Sequence, residues 1–127
     1  MTRAPAATLA CLLLAVATPA RAEWTKVGET ARQAYYINAA TIHKVDQMPR
    51  VWVVQDLKQP AATGAMSRRA LQEFDCAAER VRILSISEHA GPMADGEVIF
   101  LDNAEREWRQ AAPGTFNEVV RRIVCAR

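Results

Sequence analysis

Residues 67–87 read SRRALQEFDCAAERVRILSIS, and the way this stretch folds back on itself decides the rest of the chain. Two apolar-patterned runs flank Cys76-Ala77-Ala78-Glu79. If Asp75 faces Arg80 across a hairpin, then Glu73 faces Arg82 and Leu71 faces Leu84, while the other face pairs Phe74 with Val81 and Gln72 with Ile83. A slip of one residue sets Phe74 against Arg82 and Cys76 against Arg80. The first register places opposite charges across from each other and keeps apolar residues together, which is what cross-strand pairing rewards. Ala77-Ala78 lacks the Asn-Gly chemistry of a two-residue turn, so the spacing predicts a four-residue type I loop over Cys76 to Glu79. Charges on the Glu73 face read as a partly exposed, salt-linked surface.

The segment before residue 23 reads differently. Arg3 precedes an uncharged apolar run from Ala6 to Val16, and Ala20-Arg21-Ala22 carries small residues at the two positions a signal peptidase reads. The run is too short for a membrane span of about 20 residues. The expected organisation is a signal peptide over 1–22 and one domain over 23–127. Cys11 does not read as a lipoprotein cysteine, because Thr8 stands where a leucine is usual. Removing 22 of the 127 residues leaves 105, enough for one small core. Of 16 basic residues, Arg3 and Arg21 leave with the signal, so 14 remain against 14 acidic ones. Net charge zero argues against nucleic acid as a partner. The mature chain keeps Cys76 and Cys125, and in an oxidising compartment two cysteines allow one bridge. It would close a loop of about fifty residues, with a stabilisation of up to ~4 kcal/mol.

Along the mature chain, Glu23 to Gly28 reads as a first strand and Ala34 to Asn38 as a second, aromatic and β-branched. Thr41 to Val45 continues extended, Asp46 to Pro49 turns, and Arg50 to Lys58 is a strand apolar on both faces at its start, hence central. Gln59 to Ala65, with Pro60 and Gly64, is a loop. After the 67–87 hairpin, Ala90 to Gly96 makes a second reversal and Glu97 to Asp102 the next strand; Trp108 lies in a charged connector. Thr115 with Glu118 forms a capping box, and Phe116, Val119, Val120, Ile123 and Val124 make one apolar helical stripe. At about 100° per residue, Cys125 falls roughly opposite that stripe. Either the helix ends before Cys125 or the bridge leaves from the helix edge.

The residues that could carry chemistry are scattered. His43 and His89 stand far apart and read as surface histidines, with no Cys-x-x-Cys beside them to suggest a metal. Asp75 and Glu73 have their own arginines across the hairpin. Ser67, Ser85 and Ser87 lack a nucleophile-elbow context, and five glycines form no phosphate loop. The aromatics Trp24, Trp52, Trp108, Tyr35 and Tyr36 read as core or subunit contacts. The candidate binding patch is Arg68, Arg69, Arg80 and Arg82, for an acidic partner. The expectation is no enzyme, no cofactor and no bound metal.

Taken in order, Tyr35-Tyr36-Ile37-Asn38, Thr41-Ile42, Val51-Trp52-Val53, Ser67, Glu73-Phe74-Asp75-Cys76, Arg80 to Leu84, Gly96, Trp108, Pro113-Gly114 and Cys125 resemble the surface-adhesin protein E-like family across the whole mature chain. The resemblance implies an α+β fold, an antiparallel sheet of about six strands with a C-terminal helix packed on it and tied by one disulfide, here Cys76 with Cys125. The founding adhesin is a surface lipoprotein of a Gram-negative bacterium that binds host extracellular-matrix and plasma proteins and can dimerise. This chain differs in lacking the lipoprotein signal, and no basic ligand-binding segment matches residue by residue. The resemblance therefore implies a non-enzymatic exported module that binds a protein partner, with a homodimer among its arrangements and no membrane span. The alternative is a soluble periplasmic structural or assembly factor of the same fold with no host ligand. Export to the periplasm is the expected location, with the cell surface second.

Overall fold

The computed structural model describes residues 2–14 and 23–127. The expected cleavage site at Ala20-Arg21-Ala22 lies outside the described residues. Seven strands and one helix follow in chain order: β1 Thr25–Glu29, β2 Gln33–Val45, β3 Met48–Leu57, β4 Ser67–Asp75, β5 Arg80–His89, β6 Val98–Asp102, β7 Arg109–Gln110 and α1 Phe116–Cys125. They form one antiparallel sheet in the order β1-β2-β3-β4-β5-β6, with β7 pairing the start of β5 beside β6. β3 is central, as its doubly apolar start requires: Val51 and Val54, which face opposite ways, are both fully buried.

The deciding hairpin pairs Asp75 with Arg80, Phe74 with Val81, Glu73 with Arg82 and Gln72 with Ile83. Glu79 N donates to Cys76 O, and Glu79 takes a positive φ of 54° to close the four-residue loop. The expected Leu71–Leu84 pair does not form. Leu71 pairs with Ser85, and Leu84 is the extra residue of a bulge. The cause lies further along β5. Without the bulge Ile86 would share a face with Arg82; with it, Ile86 pairs Ala70 and joins Ile83 on the face that α1 covers. The same shift sets Arg68 opposite Glu88, where they form an ion pair of 2.8 Å.

The two extended runs expected around residues 34–45 are one strand with an interruption. Asn38 pairs Trp52, but the next pair is His43 with Arg50. Thr41 stitches the looped-out residues: its Oγ1 donates to Asn38 O at 2.7 Å and accepts from Trp52 N at 3.1 Å. The turn that follows is also tighter than the Asp46 to Pro49 reading. Asp46 and Gln47 alone form it, with φ of 50° and 68°, a left-handed pair that matches the twist of a two-residue hairpin. Pro49 already lies in β3, paired with Lys44.

The core lies between one sheet face and α1. Ile37, Val51, Val53, Ala70, Phe74 and Val81 supply the sheet side; Val120 and Val124 supply the helix side. Thr115 Oγ1 accepts from Glu118 N, while the Glu118 carboxylate reaches back to Gly114 N at 2.6 Å, so the box closes one residue earlier than in its usual form. Val119 is 41% exposed and does not belong to the buried stripe. Cys125 is the last helical residue, packs against the core and bonds Cys76, with Cα atoms 5.7 Å apart. The bridge thus leaves from the end of the helix, and one bond ties α1 to the tip of the organising hairpin.

Candidate functional site

The four arginines of the sequence-predicted patch do not share one surface. Arg68 lies on the helix-side face of β4 and is held by Glu88. Arg69, Arg80 and Arg82 lie on the opposite face, as their pairing with Val54, Asp75 and Glu73 dictates. Arg69 stacks over the Trp52 ring, 4.0 Å from its centroid, a cation–π contact. Arg80 pairs with Asp75 at 3.3 Å.

Arg82 belongs to a denser arrangement. Arg50, Glu73 and Arg82 stand side by side on β3, β4 and β5. Arg50 Nε donates to Glu73 Oε2 at 2.6 Å, and Arg82 donates to Oε1 through Nε and Nη2 at 2.8 and 2.6 Å. Arg82 Nη1 meets Glu105 at 2.7 Å, and its guanidinium sits 4.4 Å from the Trp108 centroid. Glu73 is 2% exposed, so the face expected from sequence to be partly exposed has a buried carboxylate at its centre, between two arginines that keep some access to water. Burial by itself would raise the Glu73 carboxyl, but hydrogen bonds and charge from Arg50 and Arg82 outweigh it and hold the group below the usual carboxylate range. Arg50, the third member, escaped the sequence reading; its register opposite Glu73 was the signal. The row holds three strands together, with its two arginines paired by Glu73 and Glu105.

His89 corrects a second expectation. It is 7% exposed, not a surface residue. Its Nε2 lies 2.8 Å from Ser87 Oγ, and burial first, then the Arg69 charge, push its pKa down against the opposing effect of Asp95. His43 is exposed, with Nδ1 on Thr41 O. Ser67 is fully buried and structural: its Oγ donates to Gly91 O and accepts from Ala94 N, pinning the loop after β5. Gly91 has to be glycine there, since a Cβ would lie 2.9 Å from Asp95 O. Ser85 Oγ bonds Asn103. Among the described residues no three His, Cys, Asp or Glu side chains are grouped to hold a metal.

Two surfaces remain. One is β6, where four consecutive apolar residues are open: Val98 is 51%, Ile99 40%, Phe100 46% and Leu101 60% exposed. Among the described residues only β5 pairs with this strand, and no strand pairs its outer edge. The other is a groove of about 310 Å³ on the helix-side face, between the start of α1 and strands β3 to β5.

A family model described as surface-adhesin protein E matches residues 24–126. The chain belongs to the surface-adhesin protein E family. Solved structures of Haemophilus influenzae protein E share this family fold. One superposes with a TM-score of 0.67 at 16% identity, covering 84% of this chain and 90% of that one; a second gives 0.66 at 16%, covering 84% and 86%. A selenomethionine form gives 0.67 at 15%, covering 85% and 89%. No curated protein matches the chain in sequence. The antiparallel sheet, the C-terminal helix and the Cys76–Cys125 bond are the parts of the resemblance that the structure bears out.

Proposed function

We propose that this family member is a non-enzymatic, exported protein-binding module that engages its partner along the free edge of β6. The observation that carries the reading is the exposure of Val98 to Leu101. Proteins normally shorten, charge or cover a sheet edge, because unpaired N–H and C=O groups recruit other strands. This edge is apolar on both of its faces, and the charges stand only at its ends. Acidic Asp95, Glu97 and Glu107 outnumber the basic Arg109 around it, and none of the four has a salt-bridge partner among the described residues. The fitting occupant is an extended segment of a partner protein with apolar residues between basic ends, adding a strand to the sheet. Adhesion, as the family description has it, is the use this reading assigns to that contact.

The test uses two blocked peptides with the same Thr-Val-Phe-Val-Thr centre, one with lysine ends and one with glutamate ends. Binding of the lysine form, protection of the β6 amides from hydrogen exchange, and loss of both in Phe100→Lys with Leu101→Lys are expected. Equal binding of both peptides, or β6 amides already protected by a second copy of the chain, would overturn the choice of partner.

The periplasm is the location we assign. The reading rests on the signal-like run ending in Ala20-Arg21-Ala22 and on Thr8, which spoils lipid attachment at Cys11. No helix among the described residues is long and apolar enough to cross a membrane. Mild protease treatment of intact cells should spare the protein, and osmotic shock should release it. Digestion on intact cells would instead put it on the outer surface, as an adhesin proper.

A further inference from the structure

We infer that residues 90–97 form an acid-released latch on β6, and that proton uptake by His89 opens it. As regulation of a partner strand this rests on the β6 reading above; the latch itself does not. Asp56, Ser67 and His89 stand side by side on β3, β4 and β5, on the face away from α1. The loop folds back onto the first two. Met93 N donates to Asp56 Oδ1 at 2.9 Å, Ala94 N donates to Ser67 Oγ at 2.8 Å, and Ser67 Oγ donates to Gly91 O at 2.6 Å. Ala90 N donates to Glu97 O and Gly91 N to Asp95 O, which closes the loop on itself. His89 and Val98 then form the first pair of the β5–β6 ladder, so the loop sets where β6 enters the sheet.

Two features make this closure conditional. Met93 and Ala94 hold φ of 55° and 60°, in the left-handed region that is costly for any residue with a side chain. Their hydrogen bonds to Asp56 and Ser67 keep them there. The second feature is the His89 ring, which is 7% exposed. Ser87 Oγ serves its Nε2, while Nδ1 is buried with no partner among the described residues. The cation carries N–H on both nitrogens, and no acceptor stands at Nδ1. Charge does not favour the cation either. Arg69 stands near the ring on β4 and Asp95 in the loop; burial and Arg69 outweigh Asp95 and hold the ring below the ordinary histidine range. Asp56 on β3 is taken up by Met93 N, Glu88 is held by Arg68 on the other face of the sheet, Glu97 is exposed at the end of the loop, and β6 presents uncharged Val98. A protonated His89 is therefore better placed in water. β4 and β5 have strands on both sides, so the strained loop is the element that can move aside. The sign follows: closure is complete above the ordinary histidine pKa of about 6.5 and weakens as pH falls toward the lower value of the closed form.

Hydrogen exchange of the mature protein at pH 7.5 and 5.5, corrected for the intrinsic pH dependence, reads the latch with no ligand present. Its outcome is thus independent of peptide binding at β6. The amides of Ala90, Gly91, Met93 and Ala94 report opening directly. If the open ring alone took up the proton, the open population would rise about tenfold between those two pH values. Uptake by the closed form reduces this, so a rise of at least about threefold is expected, with Val53 and Val54 on the central strand changing by much less. His89→Gln, neutral throughout, should remove the response. If that variant does not fold, Arg69→Gln decides: without the nearby charge the closed ring protonates more readily, and the response should shrink. The lysine-ended peptide, once bound along β6, should slow exchange of the same loop amides at pH 5.5, because it requires the strand in place. A smaller rise in the unsubstituted protein, an equal rise at Val53 and Val54, a full response in His89→Gln or Arg69→Gln, or bound peptide that leaves the loop amides unchanged would each overturn the proposal.

Discussion

Replacing Glu73 by glutamine removes one charge and almost no volume, and the structure fixes what that should cost. The carboxylate is 2% exposed and accepts from two guanidinium groups, Arg50 at 27% and Arg82 at 22% side-chain exposure. Were this an ordinary surface pair, its loss would cost about 0.2–1 kcal/mol. Were both arginines fully buried, stranding them would cost about 3–5 kcal/mol. Both keep some access to water, and Arg82 keeps Glu105, so the expected loss lies between, at about 2–3 kcal/mol. At about 4–8 °C per kcal/mol for a domain of this size, the melting temperature at pH 7 should fall by roughly 8–24 °C. The pH dependence has a definite sign. The folded-state pKa of Glu73 is depressed below the ordinary carboxylate value, so its contribution is present above the unfolded pKa of about 4.3 and is lost as pH falls through the lower, folded value. Thermal scans of both proteins from pH 7 down to pH 2 should show the gap closing at the acid end. A loss under about 1 kcal/mol at pH 7, or a gap that does not narrow in acid, would refute the account of the charged row.

Two further outcomes follow from the bond and from the interrupted strand. Cys125→Ala should lower stability by about 4 kcal/mol, the chain-entropy figure for a loop of this length, and denatured protein isolated without reductant should titrate no free thiol at Cys76 or Cys125; two thiols would sink the assignment. Thr41→Val should cost about 1–3 kcal/mol, because Trp52 N loses its acceptor; unchanged urea unfolding would mean that the interruption in β2 holds itself together without the hydroxyl.

The order of elements was legible because the hairpin at 67–87 has only one register that satisfies both charge and apolar pairing, and because Thr115 to Val124 carries cap and period together. The bulge at Leu84 was not legible: both registers beyond Leu71 look acceptable until Ile86 is known to pack against the core on the helix-side face. His89 reads as a surface residue since nothing local predicts the loop that Ser67 pins near it. The arginines illustrate the limit for the candidate site. Composition shows four of them close in sequence, but strand alternation sends Arg68 to the far face, and the partner of Glu73 on β3 depends on the register of the neighbouring β3–β4 pair, which the 67–87 hairpin does not contain. Val98 to Leu101 looks like an ordinary core strand, and only the sheet order reveals that among the described residues it has a neighbouring strand on one side alone.

The sheet order also bears on how the chain finds this fold. Each strand from β1 to β6 pairs with its neighbour in sequence, so the sheet can be built hairpin by hairpin with short closures and no crossover. Such local contacts favour fast folding. The docking of α1 is different in kind, since it brings a C-terminal segment back onto β1 to β4. Cys76 and Cys125, 49 residues apart, span that one long closure. In the reduced chain the helix must search for the sheet against the full entropy of that loop; once the bond exists, the search is confined to the neighbourhood of the hairpin tip. The disulfide thus acts on the single non-local step of an otherwise local assembly, and refolding rates of oxidised and reduced protein should differ in the phase that buries Val120 and Val124.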